Sequence, residues 1–258
     1  MDIVGLVPAA GIASRLGKLP YSKEIMPLTG MKVKASVLSE NLVRYFRLAG
    51  IHNLYFIIRK GKWDIPEFYG DGASFGVNIG YLMMNLPFGT PFTISQAFPF
   101  IDDKIVALGF PDILFEPEDS FEKLKTRFLE TDADIILGIV PSEHYLRSDM
   151  IEMDGQGKIK DIVIKQNRPD LKYSWFIALW RPAFSLFMKD QLNRVLSQNN
   201  DGKMAMPDGT FRELYMGDII REAIISGLKT DYILFDDGYY RDMGTWEELQ
   251  KLSGMDKQ

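Results

Sequence analysis

The sequence contains no cysteine. That excludes disulfides, zinc–thiolate sites and a cysteine nucleophile, and it fits a cytoplasmic protein. Histidine is nearly missing as well. His52 and His144 are the only two, which leaves little material for a histidine metal cluster or proton relay. No stretch reaches the ~18 apolar residues of a membrane span. The apolar run Ile3 to Ala10 follows Asp2 with no basic segment before it, so it reads as a buried first strand and not as a secretory leader. Positive charge is in deficit, with 30 Lys and Arg against 35 Asp and Glu and a net charge of −5. A nucleic-acid partner is therefore not expected, although a few cations converging in one cleft can still bind small anions. Repeats, low-complexity segments and Pro/Gly/Ser linkers are also lacking. The oligomeric state is open, a homo-oligomer included.

What is present suits one sizeable α/β domain: 258 residues, 46% hydrophobic and 25% charged. Strand-like runs occur at Asp2–Pro8, Asn53–Arg59, Asn78–Met83, Lys104–Leu108 and Asp134–Ile139. Segments such as Leu54-Tyr-Phe-Ile-Ile58 look buried on both faces. Helical periodicity fills the gaps. Ala35–Ala49 aligns Leu38, Leu42, Tyr45 and Phe46 on one stripe with Gly50 as a stop, and Ser120–Glu130 follows Asp119 as an N-cap paired with Glu122. Alternating strands and helices predict crossover units and a mostly parallel sheet flanked by helices, of Rossmann-like type.

After residue 140 the texture changes. Met150–Asp154 and Ile159–Ile164 flank Gly155-Gln156-Gly157, a hairpin signal. Trp175–Trp180 follows as an apolar run, then helices Pro182–Ser197 and Gly217–Ser226, strands Thr230–Leu234 and Tyr239–Asp242, and a last helix from Trp246. The chain reads as a single domain, with a nucleotide-binding half over about 1–140 and an antiparallel second half over about 141–258 that houses a second substrate. Trp175, Phe176, Trp180 and Phe184 read as core.

The first thirty residues carry the chemistry. An apolar strand runs into Ala9-Ala10-Gly11-Ile-Ala-Ser-Arg15-Leu16, and Lys23-Glu-Ile-Met-Pro27-Leu28 follows. Small residues let backbone N–H groups approach phosphate oxygens, and two cations can balance charge that builds at phosphorus. The same loop also reads as a plain strand–helix connection. It is not a P-loop, since no Gly-Lys-Ser/Thr is present, and not a dinucleotide fingerprint, since the second glycine is lacking. Asp112 stands just past an apolar strand, and Asp242 stands at a strand end before a helix. Alone, each reads better as a cap or turn aspartate. Together with the opening loop, they form the carboxylate pair that one Mg²⁺ takes, phosphate oxygens and water completing its shell.

These motifs, in this order, resemble the sugar-phosphate nucleotidyltransferases, the family of glucose-1-phosphate thymidylyltransferase and UTP–glucose-1-phosphate uridylyltransferase. The resemblance runs nearly end to end. It includes Pro87-Phe-Gly89-Thr90, Asp112-Ile-Leu-Phe115, Lys165, Glu213-Leu214 with Asp218, and Arg241-Asp242-Met-Gly244-Thr245. It implies a nucleotide held by Ala9, Ala10 and Gly11, with Gly89 and Thr90 near the base and Arg15 stabilising the leaving pyrophosphate. Lys23 would bridge the α-phosphate and the incoming sugar phosphate, Asp112 and Asp242 would hold Mg²⁺, and Lys165 and Arg212 would take the sugar phosphate. The substrates implied are an NTP, a pyrimidine nucleotide favoured, and a sugar 1-phosphate.

Departures from the family pattern are specific. Ala13 replaces a loop glycine, Pro111 a glycine before Asp112, and Met84 the base-reading glutamine. On the sugar side, Asp149 and Phe176 stand where the family has glycines, and Ile164 where it has a glutamate. They leave two further readings open: a cytidylyltransferase acting on another phosphorylated alcohol, and a non-catalytic module that senses nucleotide or nucleotide sugar. No repeat tail follows the last helix, so a fused acyltransferase-type domain is not expected.

Overall fold

The computed structural model describes residues 2–17, 19–28, 34–86, 88–197, 204–205 and 211–253. In chain order its first half carries β1 (Ile3–Pro8), α1 (Glu40–Leu48), β2 (Asn53–Ile58), α2 (Asp64–Tyr69), β3 (Asn78–Met83), α3 (Thr90–Ile94), α4 (Phe98–Ile101), β4 (Ile105–Leu108), β5 (Ile113–Glu116), α5 (Ser120–Glu130) and β6 (Ile135–Pro141). The second half continues with β7 (Asp149–Met153), β8 (Ile159–Ile164), β9 (Tyr173–Trp180), α6 (Pro182–Ser197), β10 (Met204–Ala205), β11 (Phe211–Arg212), α7 (Met216–Ile225), β12 (Thr230–Leu234), β13 (Tyr239–Asp242) and α8 (Trp246–Ser253).

The main sheet runs β12-β6-β9-β4-β1-β2-β3, with β7 and β8 appended beside β9. β1 pairs parallel with β2 and β4, β2 with β3, and β12 with β6. β9 enters antiparallel between β4 and β6. The sheet is thus mixed but mostly parallel, flanked by helices, with small antiparallel pairs β13–β5 and β10–β11 beside it.

Side-chain alternation explains why the strand sequences are apolar throughout. In β1, Val7 packs into the layer with Phe46 and Phe121, while Val4 and Leu6 pack into the opposite layer with Phe92, Trp180 and Phe184. Successive side chains point to opposite faces, and both faces are covered. Trp175, Phe176, Trp180 and Phe184 are all buried. A third, smaller cluster joins Leu16, Met26 and Leu28 to Leu114, Met243 and Leu249, so the opening loop rests on the end of the chain.

Most predicted elements stand within a residue or two of their places. Two local readings fail. The helix expected from Ala35 begins at Glu40, because residues 35–39 make an antiparallel bridge, Pro27 opposite Val37, with Leu38 N–H donating to the Met26 carbonyl at 3.0 Å. That bridge closes the Lys23 segment, and a helix there would lose it. Asp119 precedes α5 but caps nothing. Its carboxylate pairs with Lys123 at 2.9 Å. The capping box lies instead at α7, where Tyr215 N–H donates to Asp218 Oδ2 at 2.8 Å.

Candidate functional site

The opening loop leaves the C-terminal end of β1, where parallel sheets present ligand sites. Ala9 still belongs to the sheet, its N–H donating to the Ile57 carbonyl at 2.8 Å. Beyond it, the N–H groups of Gly11, Ile12 and Ala13 find no acceptor among the described residues. Ala13 sits at φ 54°, in the left-handed region that favours glycine. The loop therefore keeps a glycine-type conformation with an alanine, at a cost of about 1 kcal/mol.

Lys23 lies in a short 3₁₀ turn and is buried. Its Nζ meets Asp112 Oδ2 at 2.5 Å. Burial opposes ionisation of both groups, but the contact outweighs it. The Asp112 carboxyl is held below the usual carboxylate range, and the Lys23 ammonium above the usual lysine range, with help from Glu24 and Asp242. Asp242 comes from the strand paired with the one following Asp112, and Met243 N–H donates to the Asp112 carbonyl at 2.9 Å. Its carboxyl is pushed up, first by burial and then by the Asp112 charge. A carboxylate whose proton affinity is raised by an ionised neighbour marks a place short of positive charge. Arg15 stands 3.8 Å from Asp242, both side chains about half exposed. Such a pair is worth little and is readily exchanged for a phosphate.

The Lys23 turn is anchored from below. Glu24 is buried and receives two hydrogen bonds from Lys62 Nζ, at 2.6 and 2.7 Å. Burial pushes the Glu24 carboxyl up, and Lys62 counters. Ser22 donates through its N–H and hydroxyl to Asp64, at 2.5 and 2.6 Å. Lys62 and Asp64 follow the C-terminal end of β2, so the strand beside β1 holds the turn.

Next to the carboxylate pair opens a cavity of about 280 Å³. Its lining includes Arg15, Asp112 and Asp242 together with Asp149, Lys165 and Tyr215. Lys165 follows β8 at φ 48° and places its Nζ 3.4 Å from the centre of the Tyr215 ring. Cations thus enter this cavity from both halves of the chain.

A family model, nucleotidyl transferase, matches residues 4–258. The chain belongs to the nucleotidyl transferase family. Among curated proteins it is similar to the low-salt glycan biosynthesis nucleotidyltransferase Agl11 of Haloferax volcanii, 25% identical over 251 residues. The match covers 95% of this chain and 63% of that protein, so the chain spans under two thirds of its relative's length. Among solved structures it is similar to one described as a glucose-1-phosphate thymidylyltransferase from Bacillus anthracis in complex with sucrose. That match has a TM-score of 0.82 at 19% identity and covers 98% of this chain and 95% of the other. A UDP-glucose pyrophosphorylase complexed with UDP-glucose matches with a TM-score of 0.77 at 16% identity, over 99% and 98%. At these identities the two structures establish the shared fold.

Within this member of the family, the cavity gathers Arg15, Thr90, Asp112, Asp149, Lys165, Phe176 and Asp242 from the residues chosen on sequence. Phe176 is 1% exposed and held by Phe115, Phe235 and Tyr240, so it shapes the wall as core. Ala9, Ala10, Gly11, Lys23, Met84, Gly89, Pro111 and Arg212 lie outside the lining. Lys23 reaches the site through Asp112. Gly89 adopts φ 115° against the Leu214 carbonyl, which a Cβ would overlap, so close packing already demands glycine there. Pro87 lies outside the described residues. Arg212, expected at the sugar phosphate, is clamped on Asp218 at 2.6 and 2.7 Å and stacked on Tyr215. Its guanidinium fastens the start of α7. Sequence reading missed Glu24, Lys62 and Asp64. A lysine and an aspartate just past a central parallel strand were the available signal. It also missed Tyr215, which the nearby Glu213-Leu214 motif flags only by position.

Proposed function

We propose that the protein transfers a nucleotidyl group from an NTP to a sugar 1-phosphate and releases pyrophosphate. The observation that carries this is the Lys23–Asp112–Asp242–Arg15 cluster at the foot of the opening loop, whose Arg15, Asp112 and Asp242 line one cavity with Lys165. Membership of the family and the fold shared with the two solved structures support it.

The chemistry follows from charge. A phosphate oxygen of the acceptor attacks the α-phosphorus, and the bond to the β-phosphate oxygen breaks in line. Pyrophosphate leaves with that electron pair. No covalent enzyme intermediate and no side-chain base is needed, because the acceptor phosphate is already anionic at neutral pH. The chain's own groups hold two polyanions together and balance the developing charge. The N–H groups of Gly11 to Ala13 and the Arg15 guanidinium take the β- and γ-phosphates. Lys23, fixed by its turn, serves the α-phosphate, and Lys165 draws in the acceptor phosphate.

Asp112 and Asp242 fit a divalent cation. They offer hard oxygen donors from adjacent strand ends, and their mutual repulsion favours a shared positive charge. Gly244 keeps the space beside them clear, since a Cβ there would stand 2.8 Å from Asp242 Oδ1 and from the Arg15 guanidinium. Among the described residues no cluster of three or more Asp, Glu, His or Cys exists, so phosphate oxygens would complete the shell. Mg²⁺ bound there would neutralise triphosphate charge and orient the α-phosphate.

A pyrimidine triphosphate is the favoured donor, and the product would feed glycan assembly, as the name of the Haloferax relative suggests. No helix among the described residues is long and apolar enough to cross a membrane. The deciding experiment incubates the protein and Mg²⁺ with each NTP and a panel of sugar 1-phosphates. Pyrophosphate release that requires both substrates is expected. Release with no pair, despite nucleotide binding, overturns the proposal.

A further inference from the structure

Arg59, the residue after β2, is half-buried. Its Nη1 is sealed from solvent without an acceptor. Its Nε and Nη2 donate to no atom among the described residues and remain open to solvent. Nε–H and Nη2–H are a parallel pair of donors, the side of a guanidinium that grips two acceptors at once. The closed nitrogen lies at the back of the group, and the two-donor fork is left free. Burying one donor unpaired costs stability, so surface charge alone does not account for this arginine.

The strand ladder places it. The Ile57 carbonyl accepts from the Ala9 N–H and the Ile58 carbonyl from the Met84 N–H, both at 2.8 Å. Arg59 therefore leaves the sheet edge between the opening loop and Met84. Tyr55 and Ile57 pack in the layer of Phe92 and Ile94, while Phe56 and Ile58 pack in the opposite one. Alternation thus directs Arg59 to the side of α3. Met84 packs on that side too, its sulfur accepting from the Thr93 hydroxyl at 3.5 Å.

With the triphosphate on the N–H groups of Gly11 to Ala13, β1 has β4 on one side and β2 on the other. Asp112 follows β4, so the metal and acceptor positions take that side. The base is left with the ends of β2 and β3, within about 10 Å of β1 at ordinary strand spacing. There Met84 offers a weak acceptor and no donor, whereas Arg59 offers a fork of two donors.

Resting on the transferase reading above, we propose that Arg59 reads the nucleobase and selects a donor whose base presents two adjacent hydrogen-bond acceptors. Cytosine has O2 beside N3, and guanine has O6 beside N7. Uracil and thymine place an N3–H between their carbonyls, and adenine sets its amino group beside N1 and N7, so none of these fills the fork. Within the pyrimidine preference, the donor is CTP.

The test measures kcat/KM for CTP, GTP, UTP, dTTP and ATP with the best sugar 1-phosphate, in wild type, Arg59→Lys and Arg59→Gln. Arg59→Lys keeps the charge and loses the fork. CTP is expected to lead UTP, dTTP and ATP by about tenfold or more, and both variants to cut that lead about fivefold. A lead by GTP supports the fork equally and replaces the pyrimidine. A lead by UTP, dTTP or ATP overturns the proposal, as do donor ratios unchanged in both variants. So does a loss in Arg59→Gln that is equal for all donors and restored in Arg59→Lys, which would make Arg59 a phosphate contact. Calorimetric titration of wild-type protein with CDP, GDP, UDP and ADP in the presence of Mg²⁺ reads the same order in Kd without turnover. If no pair yields pyrophosphate, the transferase reading fails, and the same titration on Arg59→Lys still decides whether Arg59 reads the base.

Discussion

Lys23 carries a double task. Its ammonium neutralises Asp112, and under the proposed function it also serves phosphate. Both tasks need the charge and the reach of a lysine. Lys23→Met keeps the stem and deletes the charge, leaving Asp112 unpaired. Loss of transition-state stabilisation by a positioned cation amounts to about 3 kcal/mol. A fall of roughly a hundredfold or more in kcat, measured from initial rates of pyrophosphate release, is expected. Turnover near that of the wild type would displace Lys23 from the site.

Asp149 affects stability in a direction set by its raised proton affinity. The folded carboxyl titrates near 6, above its value in the unfolded chain. The folded state therefore binds the proton more tightly. The stabilisation this gives is fully present below pH 4 and is lost as pH rises through 6. Asp149→Asn removes the titration. Its Tm relative to wild type should climb between pH 4 and 6.5, by the equivalent of about 2 kcal/mol. A difference that stays flat over this range would show that Asp149 is not strained in the fold.

At the scale of elements, the 3₁₀ turn of Lys23 is too short to hold itself. It is held by Glu24–Lys62 and Ser22–Asp64, two contacts to the segment after β2. Removing one partner of a buried ion pair strands the other charge and costs about 3–5 kcal/mol. Glu24→Gln is expected to lose that much in chemical denaturation. The Glu24→Met/Lys62→Met pair should recover most of it by packing apolar groups together. Activity should stay low in both, because the turn loses its polar register. A double variant as unstable as the single one would remove the ion pair as the cause.

The elements themselves were legible to different degrees. β3, α5, β8, α6, β12 and β13 match their sequence runs because period and punctuation agree locally. The false start of α1 at Ala35 has a tertiary cause. The stripe of Leu38, Leu42, Tyr45 and Phe46 is real, but Val37 is needed opposite Pro27, and that pairing prevails over helix propensity in the first five residues. Asp119 shows the same limit for a cap, since the Lys123 ammonium competes for its carboxylate.

Taken whole, the molecule joins an acidic surface to a cavity that receives Arg15, Arg147, Lys165 and Arg241. A net charge of −5 does not prevent anion binding when the cations converge in one cleft. The cleft also spans both halves of the chain, with α8 seated on the opening loop through the Trp246 Nε1–H to Leu16 carbonyl bond at 3.0 Å. Ligand held there tethers both halves in the folded state only. At a hundredfold excess over Kd, NTP with Mg²⁺ should stabilise the protein by about 2.7 kcal/mol. That corresponds to a Tm rise of roughly 5–10 °C for a chain of this size. Differential scanning with and without nucleotide checks it, and an unchanged Tm at saturating NTP would place nucleotide elsewhere.

The sequence by itself determined the layered α/β plan and the chemical identities of the central cluster. Strand periodicity, small-residue loops and strand-end carboxylates are local properties, and they survive translation into three dimensions. Only the tertiary structure decided who meets whom. Lys23 contacts Asp112 across 89 positions, Lys62 contacts Glu24 across 38, and Arg212 clamps Asp218. Electrostatic energy depends on distance through space and on burial, and neither is a function of separation along the chain.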